Sequence, residues 1–120
     1  MSDIERKHTG SRMSKIVCHG GLIFLAGQTA NGSAAAHEDL SAQVRESLSR
    51  VDALLTDAGT DRSRILSATI YLKNISGFDT MNRIWESWVF PDSTPARTTV
   101  EASLGSPNIL FEITVIAAST

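Results

Sequence analysis

Leu110-Phe111-Glu112-Ile113-Thr114-Val115-Ile116-Ala117 reads as a β-strand with apolar side chains on both of its faces. Leu22-Ile23-Phe24-Leu25-Ala26-Gly27 has the same character, the pattern of a central strand covered on each side. Two helical patterns lie between these runs, and two helices cover only one side of a sheet. The other side must curl on itself or meet further subunits, so the runs together predict an α+β layer that forms an oligomer.

The remaining elements follow by period and punctuation. Ser14 to His19 and Leu22 to Gln28 are β-type runs separated by Gly20-Gly21, a pair suited to a two-residue hairpin turn. The polar first dozen residues, broken at Gly10-Ser11, read as a lead-in or short edge strand. Beyond a small-residue loop, Thr29 to Ala36, the positions Leu40, Val44, Leu48, Val51, Leu55 and Ala58 recur at helical spacing, and Gly59 supplies a left-handed stop. Ile65 to Leu72 alternates as a strand, with Leu66 among the apolar set. A second helix opens at Ser76-Gly77-Phe78-Asp79 with Ser76 as N-cap, carries an inward stripe of Phe78, Met81, Trp85 and Trp88, and ends before Pro91. Arg97 to Ala102 and Ile109 to Ala117 close the chain as neighbouring strands, giving the order β β α β α β β within one domain, residues 1–120.

Composition excludes several classes of function. A chain of 120 residues with 42% hydrophobic residues can bury a single core. The net charge of −2, with no run of Lys or Arg, disfavours nucleic acid and anionic membranes as partners. No apolar run approaches the roughly 20 residues that cross a bilayer, the one cysteine cannot form an internal disulfide, and no leader is evident, so the cytoplasm is the expected compartment. Cys18, in a Val-Cys strand, reads as a small buried hydrophobe. His8, His19 and His37 lack metal-ligand spacing, and neither a phosphate-cradling loop nor a Gly-x-Ser-x-Gly elbow is present, which points to a site without a cofactor.

Two charges stand out because they fall in segments that otherwise read as sheet interior. Arg97 lies in Pro95-Ala96-Arg97-Thr98-Thr99-Val100-Glu101, and Glu112 in the closing strand. Each must be paired with the other, hydrogen-bonded or open to a ligand, since burying a lone charge costs several kcal/mol, roughly. A guanidinium offers a planar fork matched to a carboxylate, and Thr99, two residues on, shares its face. Glu112 would act as acid or base according to how Arg97 and the apolar surroundings balance. Gly27-Gln28 could bring bare backbone close to a ligand.

The chain resembles the Rid (reactive intermediate deaminase) family, also called YjgF. The resemblance runs nearly end to end and is carried by Leu25-Ala26-Gly27-Gln28, the Gln43 to Gly59 helix, Ile70-Tyr71-Leu72-Lys73-Asn74, Phe78-Asp79-Thr80-Met81-Asn82, Pro95 to Glu101 and Phe111-Glu112-Ile113. It implies a chorismate-mutase-like fold, a homotrimer whose strands form a central barrel, and clefts between subunits. It further implies a cofactor-free deaminase in which Arg97 holds the carboxylate of a 2-imino or 2-enamino acid and Glu112 activates the water that yields a 2-oxo acid and ammonia. By the same resemblance Ala26 and Gly27 supply backbone contacts, and Asn82 and Thr99 line the cleft. Where deaminase-active members commonly carry a Tyr before the first strand, this chain has Met13, which removes a hydroxyl from the pocket. A ligand-binding trimer without turnover, and an endoribonuclease, are the competing expectations.

Overall fold

The computed structural model describes residues 3–120. Six strands form one mixed sheet: β1 (Glu5–Thr9), β2 (Ser14–His19), β3 (Leu22–Leu25), β4 (Ile65–Leu72), β5 (Ala96–Glu101) and β6 (Phe111–Ala118). Helix α1 (Leu40–Asp57) joins β3 to β4, and α2 (Phe78–Trp88) joins β4 to β5. The sheet order is β1-β2-β3-β6-β4-β5. Only β4 and β5 pair in parallel, which α2 makes possible because parallel neighbours need a crossover. β6 runs antiparallel to both β3 and β4 and so fills the gap that the α1 crossover leaves.

Local chemistry explains most boundaries. Gly20 and Gly21 have φ of 60° and 80°, the mirror-image turn whose twist suits a two-residue hairpin. The polar lead-in is an edge strand, β1, paired with β2. Asp39 caps α1 by accepting the Ala42 N–H at 3.0 Å, and Gly59, at φ 79°, follows its end. Gly59→Ala is expected to cost about 1 kcal/mol, because an L side chain is disfavoured in the left-handed region; urea denaturation measures it.

Four expectations are corrected. β5 and β6 are not neighbours, because β4 lies between them and pairs with both. A register shift between Ile65 and Ser67 turns Leu66 outward, where it is 47% exposed. The N-cap of α2 is Gly77, without a side-chain bond, since a 3₁₀ turn at Ile75–Gly77 precedes it and Asn74 caps that turn by accepting the Ser76 N–H. Ile109 precedes β6 and packs with Ala30 and Ala36 in a small cluster of its own.

Both helices cover one face of the sheet. Ile16, Ile23, Ile70, Phe111 and Ile113 meet Val44, Leu48 and Val51 of α1 and Met81 and Trp85 of α2 there. The register identifies the other face: Val17, Phe24 and Ile116 form one row, Thr98, Thr69 and Thr114 a second, and Val100, Tyr71 and Glu112 a third. Phe24 and Val100 remain 40% and 39% exposed on that side. The two-sided apolar character of β3 and β6 thus meets a helix layer on one side only.

Candidate active site

Arg97 and Glu112 lie on opposite faces of the sheet. Arg97 is in register with Ala68, and Ala68 with the buried Val115, so its side chain points to the helix layer. Glu112 is opposite Tyr71 and points the other way. They therefore form no ion pair within one chain, and each needs a separate explanation.

Arg97 stands against an aromatic wall. Its guanidinium carbon lies 5.4 Å from the ring centre of Trp85 and 5.7 Å from that of Phe78, and Nη1 is 3.9 Å from the Met81 sulfur. These contacts hold the cation by its attraction to the π faces without neutralising it. Burial lowers its pKa from the usual guanidinium value, with the Glu86 carboxylate partly opposing. An arginine nevertheless remains a cation near neutral pH. On the same face, Thr99 places a buried Oγ1 that has no hydrogen-bond partner among the described residues. An unneutralised guanidinium and an unsatisfied hydroxyl two residues apart have the chemistry of an anion seat. Asn82 follows Met81 on α2, in the same stretch of helix that builds this wall.

Glu112 faces a cavity of about 340 Å³ lined also by Met13, Gly27, Thr29, Asn31, Ser106 and Ile109. Gly27 leaves room for the carboxylate in its present place: a Cβ there would lie 3.0 Å from Glu112 Cδ and overlap Oε2. A single pair of backbone bonds, between Gln28 and Ile113 at 2.8 and 3.0 Å, holds this segment on β6 after β3 has ended. The Ala26 N–H is committed to the Lys15 carbonyl at 2.9 Å and its carbonyl accepts from Gln28 Nε2. Among the described residues nothing engages the Gly27 N–H, which leaves it as the open donor beside Glu112. Met13, 59% exposed, supplies an apolar wall.

The residues named from sequence thus separate into two groups. Arg97, Thr99 and Asn82 belong to the β5–α2 side; Glu112, Gly27, Ala26 and Met13 belong to the β3–β6 side. Sequence reasoning missed Phe78 and Trp85 as partners of Arg97, although their spacing on one helix stripe was visible. A larger cleft of about 480 Å³ between β1 and α1 is lined by His8, Lys15, Arg50 and Asp57. Most of its charge is internally satisfied: His8 Nε2 meets Asp57 at 3.0 Å, and Arg50 binds Glu46 and the carbonyls of Thr29 and Asn31. Among the described residues no group of three or more His, Cys, Asp or Glu side chains could hold a metal ion.

The profile of the family described as Endoribonuclease L-PSP matches residues 5–119. This chain belongs to the RutC/YjgF/Rid family. Similar to this Rid-family chain is a RutC family protein of Haemophilus ducreyi, 37% identical over 115 residues that span 96% of each chain. The crystal structure of a YjgF-family protein of Neisseria meningitidis matches with a TM-score of 0.90 and 35% identity, covering 98% of this chain and 96% of that one. The protein named 2-iminobutanoate/2-iminopropanoate deaminase in Salmonella typhimurium is 31% identical over 102 residues, covering 82% of this chain and 80% of its own. Among the described residues of this Rid-family chain, no helix is long and apolar enough to cross a membrane.

Proposed function

We propose that the chain is a cofactor-free hydrolytic deaminase of reactive 2-imino and 2-enamino acids, with its site completed between copies of the chain in a homotrimer. The observation that carries this reading is the separation of an unneutralised Arg97 and an open Glu112 onto opposite faces of one sheet. The likeness to the Salmonella typhimurium deaminase supports the reaction, and the exposed apolar face bearing Phe24 and Val100 supports the association. In such a trimer Arg97 of one copy and Glu112 of the next face a shared cleft.

Arg97 takes the substrate carboxylate in a bidentate grip, with the Thr99 hydroxyl available as a further donor. Glu112 orients a water and receives its proton as the oxygen adds to the imine carbon. That proton passes to nitrogen to give a carbinolamine. Glu112 then takes the proton of the new hydroxyl and returns it to nitrogen as the carbon–nitrogen bond breaks, so that ammonia leaves and the 2-oxo acid forms. An enamine first gains a proton on carbon to become the imine. Imines hydrolyse without help, so positioning and modest acid–base assistance suffice.

The test generates 2-imino acids with an amino-acid oxidase and traps the remainder with semicarbazide. Faster loss of imine with the protein present is the expected result; no acceleration with any imine overturns the reading. A second reading, a binding trimer without turnover, rests on Arg97 and Thr99 alone, since they suit a small carboxylate whether or not reaction follows. Saturable binding of a 2-oxo acid without imine hydrolysis would select it.

A further inference from the structure

We infer that Gln43, a residue outside the cavity, is a positioning residue for Glu112, an inference that rests on the function proposed above for its catalytic consequence. Gln43 lies in the first turn of α1 and is fully buried. Its Nε2 lies 2.9 Å from the Asn108 carbonyl and 3.3 Å from those of Ala36 and Glu38, while Oε1 accepts the Leu110 N–H at 2.9 Å. This is the only orientation of the amide that matches three acceptors and one donor.

The partners are the supports of the cavity. Leu110 is two residues before Glu112, and Asn108 lies between the lining residues Ser106 and Ile109. Ala36 and Glu38 end the loop that begins with the lining residues Thr29 and Asn31, and Asn108 Nδ2 adds a bond to the Ala36 carbonyl at 2.9 Å. One side chain thus ties two cavity-lining loops and the entry to β6 to a rigid helix. Arg50, seven residues or about two turns along α1, holds the Thr29 and Asn31 carbonyls at 2.8 and 2.9 Å in the same manner. Because the Glu112 carboxylate is in no hydrogen bond or ion pair among the described residues, its direction comes from the strand that carries it, which is paired with β4 at Tyr71.

The chemistry of an amide provides the test. Gln43→Glu keeps the shape but puts a carboxylate before three carbonyl oxygens, with the Glu38 and Asp39 carboxylates close by in the chain. These surroundings favour its protonated form. As the neutral acid it can donate to Asn108 and accept from Leu110, so lowering the pH should restore the arrangement. The expected result is a folded protein whose kcat at pH 8 is about 100-fold below wild type with KM changed far less. The ratio to wild type should recover toward one as the pH falls to about 5.5, near the range of a buried carboxyl. Amide exchange should show residues 105–112 opening at pH 8 while the β2–β3 hairpin stays protected. Gln43→Leu should show the same selective opening at both pH values, and if it fails to fold Gln43→Glu alone decides.

A pH-independent ratio, or exchange that rises equally in the hairpin and in 105–112, would overturn the inference and leave Gln43 a purely structural residue. If the wild-type chain hydrolyses no imine, the proposed function fails. Exchange at 105–112 then decides the role of Gln43: selective, pH-reversible opening supports it, and unchanged or uniform exchange overturns it.

Discussion

Arg97→Ala is expected to lower kcat/KM for imine hydrolysis about a thousand-fold, or roughly 4 kcal/mol of transition-state binding, since removing one partner of a desolvated charge pair costs about 2–5 kcal/mol. The guanidinium makes no close ion pair among the described residues, so its loss costs the free protein only a longer-range attraction to the Glu86 carboxylate. The fold should survive, and the change should appear in activity and in 2-oxo acid binding. Arg97→Lys separates charge from geometry. An ammonium keeps the point charge but loses the planar fork and much of the stacking on Trp85 and Phe78, which lie 5.4 and 5.7 Å away. It should recover only part of the activity. Steady-state kinetics with a series of 2-imino acids, beside circular dichroism of each variant, provides the measurement; a fully active Arg97→Ala would remove the anchor from the mechanism.

Gly27→Ala is expected to lower kcat about 100-fold by displacing Glu112, a loss typical of an error near 1 Å in a reacting group. The added methyl would stand in the volume of Oε2 and 3.0 Å from Cδ, so the carboxylate must shift from its place beside Gly27. Its consequence differs from that of losing Arg97: the anion seat lies on the other face and remains intact, so binding of a 2-oxo acid should change little while turnover collapses. Isothermal titration calorimetry beside kinetics reads that split. Equal losses in binding and turnover would instead mean that Gly27 contributes to ligand affinity directly.

Much of the fold was legible in local patterns. The three- and four-residue spacing from Leu40 to Ala58, the Gly20-Gly21 pair and the alternation of Ile65 to Leu72 each record an interaction between near neighbours in the chain. Strand order was not legible, because the insertion of β6 between β3 and β4 is decided by contacts across the whole chain. The same limit applied to the site. Period two shows that Thr99 shares a face with Arg97, but only the register through β4 reveals that Glu112 points away from both. Leu66 was misassigned for a related reason: a register shift is a property of a pair of strands, not of one. Gln43 left little signal beyond a polar residue near the start of an amphipathic helix, and its role emerges only when four partners from distant segments are assembled around it.

The central claim, that Arg97 of one copy works with Glu112 of another, is tested most directly by mixing two inactive variants. Arg97→Ala and Glu112→Gln chains are unfolded together and refolded in equal amounts, and imine hydrolysis is compared with that of each variant refolded alone. If the site is shared, random assembly returns about a quarter of the wild-type sites, because one interface in four pairs an intact Arg97 with an intact Glu112. If the mixture stays as inactive as its parents although mass spectrometry shows mixed trimers, both residues act within one chain or not together, and the shared site is contradicted.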